Sequence, residues 1–250
     1  MRNIPYNLSV IIPAFNEEAR IPATIRRVAK YVEDSFREYE IIVVDDGSTD
    51  RTVDAVRSLA RDIGRIKLLQ NGVNRGKGFS VKQGVQAASG NIILMTDADL
   101  STPIEEIEKL LVWIERDFDV VIGSRGLKES DIVLRQPWYR EKMGRTFNVL
   151  VSTLVMQGFK DTQCGFKIFR ADVAKELFRR SVVEGFGFDV EVLFLAGKLG
   201  FRIKEVPVRW INSPDSRVKV LSAPLRMFVD LLAIRLNWIR GFYTKESIGR

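Results

Sequence analysis

Glu40-Ile41-Ile42-Val43-Val44-Asp45-Asp46-Gly47-Ser48-Thr49-Asp50 runs a short β-branched segment straight into two carboxylates, a glycine turn and the start of a helical pattern. A short apolar run bounded by turn residues reads as a buried strand. The same rhythm repeats on both sides of it. Strands are expected at 9–13, 40–44, 66–69, 91–96 and 120–123, and amphipathic helices between them at 22–34, 52–62, 79–88 and 103–115. The last helix has Thr102 as its expected N-cap, Pro103 at its first position and Glu105-Glu106 in its first turn. Strands alternating with helices predict an α/β fold around a mostly parallel, doubly wound sheet. Such sheets bind ligands beyond the carboxyl ends of their strands, so function is expected in the residues that follow each strand.

Three of those strand ends are acidic. The first leads into Pro13-Ala14-Phe15-Asn16-Glu17-Glu18, the second into Asp45-Asp46 and the fourth into Thr96-Asp97-Ala98-Asp99. Asp-Gly-Ser on its own is equally an ordinary turn with a helix cap, and Asp97 and Asp99 could cap the helix after Thr102. Converging on one sheet edge, however, the three clusters form a candidate cation site. Asp97 and Asp99, two positions apart with small Ala98 between them, suit Mg²⁺ or Mn²⁺, which takes one or two protein carboxylates and completes its shell with water and substrate phosphates. Asn74-Arg75-Gly76-Lys77-Gly78 precedes a helix and resembles a phosphate loop. It matches neither the Walker pattern, with Gly78 where Ser or Thr belongs, nor G-x-G-x-x-G, with Val81 at the third glycine. An ATPase or a dinucleotide enzyme is therefore disfavoured.

The chain has 250 residues, a formal charge of +7, no histidine and one cysteine, Cys164. Catalytic triads with histidine, imidazole bases, disulfides and thiolate zinc clusters are excluded. A lone cysteine fits a reducing, intracellular compartment. From residue 201 to 250 there are ten Lys/Arg against four acids, a basic segment suited to nucleic acid, anionic lipid or phosphorylated substrates. Spanning a bilayer takes about 18 apolar residues or more; the best run, 149–156, is far shorter, so no transmembrane segment is expected. After residue 126 the pattern changes: 125–145 is polar and basic, 146–156 is an apolar helix, and further strands are expected at 164–169 and 201–208. Within 224–241, Leu225, Phe228, Leu232, Leu236 and Ile239 form an apolar stripe at helical spacing.

Taken together, these motifs resemble the inverting family 2 glycosyltransferases. The resemblance rests on residues 10–18, 43–50, 74–78 and 97–101, in order and spacing. Gly123-Ser124-Arg125, 161–167 and Phe188-Asp189-Val190-Glu191 are similar to the polyprenyl-phosphate branch, most of all the dolichyl-phosphate β-glucosyltransferases, with the dolichyl-phosphate mannose synthases as relatives. It covers residues 8–240 and implies a GT-A type nucleotide-sugar-binding fold, with a catalytic domain over 1–222 and a C-terminal amphipathic helix over 223–250. It also implies roles. Pro13, Ala14, Asn16, Glu17, Asp45 and Asp46 would line the nucleoside pocket, Ala98 would leave room beside it, and Arg75 and Lys77 would lie near. Asp97 and Asp99 would hold the metal. Where mannose synthases carry an assisting Gln, this chain has Ser101. Arg125, with Arg140 or Arg145, would hold the acceptor phosphate.

The implied reaction moves a hexose, glucose from UDP-glucose or mannose from GDP-mannose, onto a polyprenyl phosphate. A phosphate monoester has a second pKa of about 6 and is already ionised near neutrality, which fits a chain without histidine. Asp189 and Glu191 occupy the place of a base in hydroxyl-accepting relatives; sugar binding or positioning of a basic residue is the favoured role for them. The helices at 146–156 and 224–241 either cover the sheet or lie in a membrane interface, with Trp238, Phe242 and Tyr243 at headgroup depth, making the protein peripheral on a cytoplasmic membrane face. Transfer to a sugar hydroxyl is an alternative, although the Q-x-x-R-W of processive synthases has Val206 before Arg209-Trp210. A basic nucleic-acid-binding protein is another, and the acidic edge opposes it.

Overall fold

The computed structural model describes residues 4–212 and 222–243, leaving aside the side chains of residues 140, 145 and 222–225. In chain order the elements are β1 (Ile4–Ala14), α1 (Ile21–Ser35), β2 (Phe36–Asp45), α2 (Thr52–Ile63), β3 (Ile66–Gln70), α3 (Lys77–Ala87) and β4 (Ile92–Met95). A 3₁₀ turn (Ile104–Glu106) then leads into α4 (Ile107–Ile114), β5 (Val120–Ser124), β6 (Asp131–Leu134), α5 (Trp138–Leu154) and β7 (Lys167–Arg170). The chain continues through α6 (Ala171–Arg180), α7 (Phe188–Lys198), β8 (Ile203–Pro207), β9 (Arg209–Ile211) and α8 (Ser222–Ile239).

Seven strands form one sheet in the order β3-β2-β1-β4-β7-β5-β8. All neighbours are parallel except β7, which runs antiparallel to both β4 and β5. The central strands read as continuous apolar runs because both faces are covered. Alternation sends Val10, Ile12 and Val43 against α1, α2 and α4, while Ile11, Ile42 and Ile93 face α3, α6 and α7. The antiparallel strand matters for function. Lys167, its first residue, pairs with Met95 and Ile122 near the carboxyl ends of β4 and β5. The segment before β7 therefore reaches the edge where the other strands deliver the segments after them.

Several expectations need correction. Thr102 is not the cap of α4: Pro103 occupies the N-cap with ψ 143°, no side-chain cap bond forms, and the helix begins as the 3₁₀ turn. Thr102 instead lies with its hydroxyl 3.8 Å from the Cys164 sulfur. The helix expected at 146–156 begins at Trp138, because its polar first turns face solvent and leave no apolar period to read. β6 and β9 pair as a separate two-stranded parallel sheet that the sequence did not signal.

The face on which α8 packs also differs. Met227, Leu231 and Ile234 are buried, and Trp238 meets the Phe194 ring edge-on at 5.5 Å. Leu232, Leu236 and Ile239 of the expected stripe are exposed, together with Val229. The helix is apolar on two faces, and contact with α5 and α7 selects the one outside the expected stripe. Trp138, Tyr139, Val133 and Leu134 are exposed as well. Among the described residues, no helix is long and apolar enough to cross a membrane.

Candidate active site

The loops after β1 and β2 are built on each other. Asn16, at φ 55°, donates its backbone N–H to Ser48 Oγ at 2.9 Å and accepts from the Thr49 N–H at 2.8 Å. Asp45 accepts from the Gly47 and Ser48 N–H groups. Gly47 is required here: its φ is +74°, and a Cβ would sit 2.5 Å from the Val73 carbonyl carbon. Asp46 accepts from the Asn71 side chain at 2.8 Å and from the Arg75 and Gly76 N–H groups at 3.0 and 2.8 Å. Glu17 clamps the Arg20 guanidinium at 2.6 and 2.7 Å. These buried carboxylates shape the edge of the sheet beside Pro13 and Ala14.

Asp97 and Asp99 follow β4 and face a cleft of about 220 Å³. Lys77, the first residue of α3, brings its Nζ to 2.6 Å from Asp97 Oδ1. On the other side, Gly165 is pressed so close that a Cβ would lie 2.0 Å from Asp97 Oδ2. Burial pushes the Asp97 carboxyl up, but the Lys77 ammonium, with Lys167 and Arg125 behind it, outweighs this and holds it below the usual range. Burial and the charge of Asp97 push the Asp99 carboxyl up, despite a bond from the Ser101 N–H at 2.9 Å. A pair of half-buried carboxylates that repel one another is a place a cation relieves. Among the described residues no group of three His, Cys, Asp or Glu could hold a metal. Two carboxylates with all-oxygen chemistry fit Mg²⁺ or Mn²⁺ sharing its shell with a ligand.

Arg125 closes the cleft from the end of β5. Asp161 grips its Nε and Nη2 at 2.6 and 2.9 Å and also accepts its backbone N–H at 3.0 Å. Burial would raise the Asp161 carboxyl, yet the guanidinium holds it at about 2. Glu205 on β8 accepts from the Lys160 and Asp161 N–H groups, fixing the loop beneath. The guanidinium carbon lies 5.6 Å from the Trp210 ring centre. Lys167 and Asp189 form a buried ion pair, and Lys167 also donates to the Cys164 carbonyl.

Not every expected residue joins this cleft. Glu191 is fully buried and accepts from the Val182 and Val183 N–H groups and, at 2.6 Å, from the Tyr243 hydroxyl. Two positions along a helix are roughly 200° apart, so Asp189 facing the cleft turns Glu191 away from it. Tyr243, expected at headgroup depth, is buried by this contact. Arg75 stacks on Phe79 at 3.7 Å and pairs with Glu184, beside a second cavity rather than at Asp97. Ala98 is buried, its carbonyl accepting from Thr24 Oγ1 at 2.6 Å. The side chains of Arg140 and Arg145, on α5, lie outside the described residues. Sequence reading gave no role to Gly165, Lys167, Gln163, Phe186 or Met227, all at or beside the cleft. Gly165 and Lys167 sit within the quoted 161–167 segment; Phe186 and Met227 carry no local signal.

The chain superposes on solved glycosyltransferases. Mannosyl-3-phosphoglycerate synthase from Rubrobacter xylanophilus aligns with a TM-score of 0.68 at 18% identity, over 98% of this chain and 77% of that one. Glucosyl-3-phosphoglycerate synthase from Mycobacterium tuberculosis, crystallised with Mn²⁺ and UDP-glucose, aligns at 0.65 and 22%, over 93% and 79%. The fold is thus GT-A-like. The model of glycosyl transferase family 2 matches residues 9–178, and the chain belongs to that family. The dolichyl-phosphate beta-glucosyltransferase of Dictyostelium discoideum is 37% identical over 96% of this chain and 77% of its own length. The Homo sapiens protein of the same name is 33% identical over 96% and 78%.

Proposed function

We propose that this glycosyltransferase moves glucose from UDP-glucose onto a dolichyl-type polyprenyl phosphate, inverting the anomeric carbon. The observation that carries the reading is the pairing of Asp97 and Asp99 with a buttressed Arg125 across one cleft. One wall suits the cation of a nucleotide diphosphate and the other suits an anion. Dolichyl-phosphate glucosyltransferase relatives at 33–37% identity over most of the chain support the acceptor.

Asp97 and Asp99 would hold Mg²⁺ or Mn²⁺, which supplies charge neutralisation to the departing nucleoside diphosphate. The loops organised by Asn16, Asp45 and Asp46 shape the nucleoside pocket beside Pro13 and Ala14. Arg125, two of whose nitrogens are fixed by Asp161, presents a preset donor edge to the acceptor phosphate. That phosphate is ionised near neutral pH and attacks without losing a proton to the protein. Asp189 is neutralised by Lys167, which argues against a base and against transfer to a sugar hydroxyl. Trp210, Phe186 and Met227 line the cleft with apolar surface for the sugar ring or the first prenyl unit.

The lipid acceptor also accounts for the exposed apolar surface. Val229, Leu232, Leu236 and Ile239 on α8 form an exposed apolar face suited to lie in a membrane interface, peripheral on the cytoplasmic side, and Trp138 and Leu134 are exposed apolar side chains as well.

A panel of UDP- and GDP-sugars incubated with a short polyprenyl phosphate and Mg²⁺ or Mn²⁺ tests the reading. Glucosyl transfer to the phosphate is expected; mannosyl transfer from GDP-mannose would reassign the donor, and no transfer to any lipid phosphate would refute the acceptor.

A further inference from the structure

Asp97, one of the two carboxylates that would hold a metal, already has a cationic partner. Lys77 Nζ sits 2.6 Å from Asp97 Oδ1, with its side chain largely sheltered from solvent. Gly165 backs the opposite oxygen so closely that Asp97 has no room to retreat in that direction. Asp99 is the other carboxylate of the pair, and among the described residues no third carboxylate or imidazole joins them. A dication arriving alone would therefore meet one carboxylate neutralised by an ammonium and one tied to the Ser101 N–H at 2.9 Å. It would also approach the positive charge of Lys77.

We infer that Lys77 is a resident counter-ion of Asp97 that keeps the divalent cation out until a nucleotide diphosphate enters with it, and then leaves Asp97 to pair with that diphosphate. The inference rests on the reading of Asp97 and Asp99 as metal ligands and adds an order of assembly to it. Lysine suits such an exchange of partners, because its ammonium is a compact point charge on a flexible four-carbon stem and can swing by bond rotation, whereas a guanidinium gripped on two edges cannot. Its root is also well placed. Lys77 is the first residue of α3, a helix N-terminus, where partial positive charge favours an incoming phosphate and disfavours a lone cation. The aromatic ring of Phe188, 5.9 Å from Nζ, offers a weakly attractive wall along which the ammonium can move. Metal and nucleotide are then coupled, each strengthening the binding of the other by the same factor.

The test is a titration of the full chain with Mn²⁺ alone, following the free-ion signal by electron paramagnetic resonance, then repeated with UDP. The unmodified protein is expected to bind Mn²⁺ weakly without UDP and much more tightly with it. Lys77→Met should bind Mn²⁺ alone about tenfold tighter or more, a modest outcome for removing a unit charge within a few ångströms of a dication. Its gain on adding UDP should shrink correspondingly. Lys77→Arg, which keeps the charge, should bind Mn²⁺ alone as weakly as the unmodified protein. Lys77→Gln serves if the methionine variant melts early. A Lys77→Met or Lys77→Gln protein that folds but binds Mn²⁺ no tighter than the unmodified chain overturns the inference, and so does a chain that takes up no Mn²⁺ even with UDP. The titration contains neither sugar nor lipid, so a wrong donor or acceptor would leave its result unchanged and appear only in the transfer assay.

Discussion

Replacing Gly165 with alanine would put a methyl group where the Asp97 carboxylate already is. The added carbon would lie 2.0 Å from Oδ2, 2.4 Å from Cγ and 2.6 Å from Oδ1, against about 3.4 Å for ordinary contact. The backbone cannot give way easily, because the Phe166 carbonyl accepts from the Gly123 N–H at 2.8 Å and Lys167 begins β7 between two paired strands. The carboxylate must therefore move by about 1 Å or more, taking with it the bond to Lys77. A displacement of that size at a reacting centre lowers turnover by about 10²-fold, while overpacking of this kind destabilises by about 1–3 kcal/mol. The two effects separate in a cycle with Asp97→Ala, which removes the group that clashes. Gly165→Ala should lower kcat/KM for glucosyl transfer about 100-fold at saturating Mn²⁺, and it should lower the melting temperature in the native background but hardly at all in Asp97→Ala. Activity within threefold of the unmodified protein, or the same melting penalty in both backgrounds, would refute the placement of Asp97 against Gly165 as the basis of the cation site.

Other perturbations read different parts of the molecule. Glu40 is held at about 2, against an ordinary 4.5, where burial is outweighed by Lys67 and by bonds from Ser9 and Ser89. Its stabilisation is therefore fully present above about pH 4.5 and lost as pH falls toward 2; with Lys67 half exposed to water it amounts to about 1–2 kcal/mol. Chemical denaturation at pH 6 and pH 3 should show a smaller loss for Glu40→Gln than for the unmodified chain, and equal losses would contradict this. Lys167→Met leaves Asp189 buried without its partner and should destabilise by about 3–5 kcal/mol, with Asp189→Leu added in the same chain recovering much of it; denaturant midpoints decide. Leu232→Glu with Leu236→Glu should abolish co-sedimentation with anionic liposomes at unchanged melting temperature, because both side chains are exposed. Retained sedimentation would remove α8 from the membrane-facing surface.

Much of the fold was legible because its information is local. The apolar runs at 40–44 and 91–96 have the length and β-branched composition of strands covered on both faces, and their acidic followers mark the carboxyl edge without any knowledge of packing. Asp97 and Asp99 were readable for the same reason: two residues apart beyond one strand, they share an environment whatever the rest does. What failed to show depends on partners distant in sequence. The direction of β7 is set by pairing with β4 and β5 on both sides, and only that direction brings residues 161–167 to the site. Asp161 meets Arg125 across 36 residues and Lys167 meets Asp189 across 22. Neither spacing has a period. Glu191 stands two helical positions from Asp189, and only the packing of α7 decided which of the two faces the cleft. On α8, two faces are apolar, and the fit of Met227, Leu231 and Ile234 against α5 and α7 settled which one is buried. Periodicity states that a face is apolar, but complementarity with another surface chooses its contact, and that surface exists only once the chain has folded.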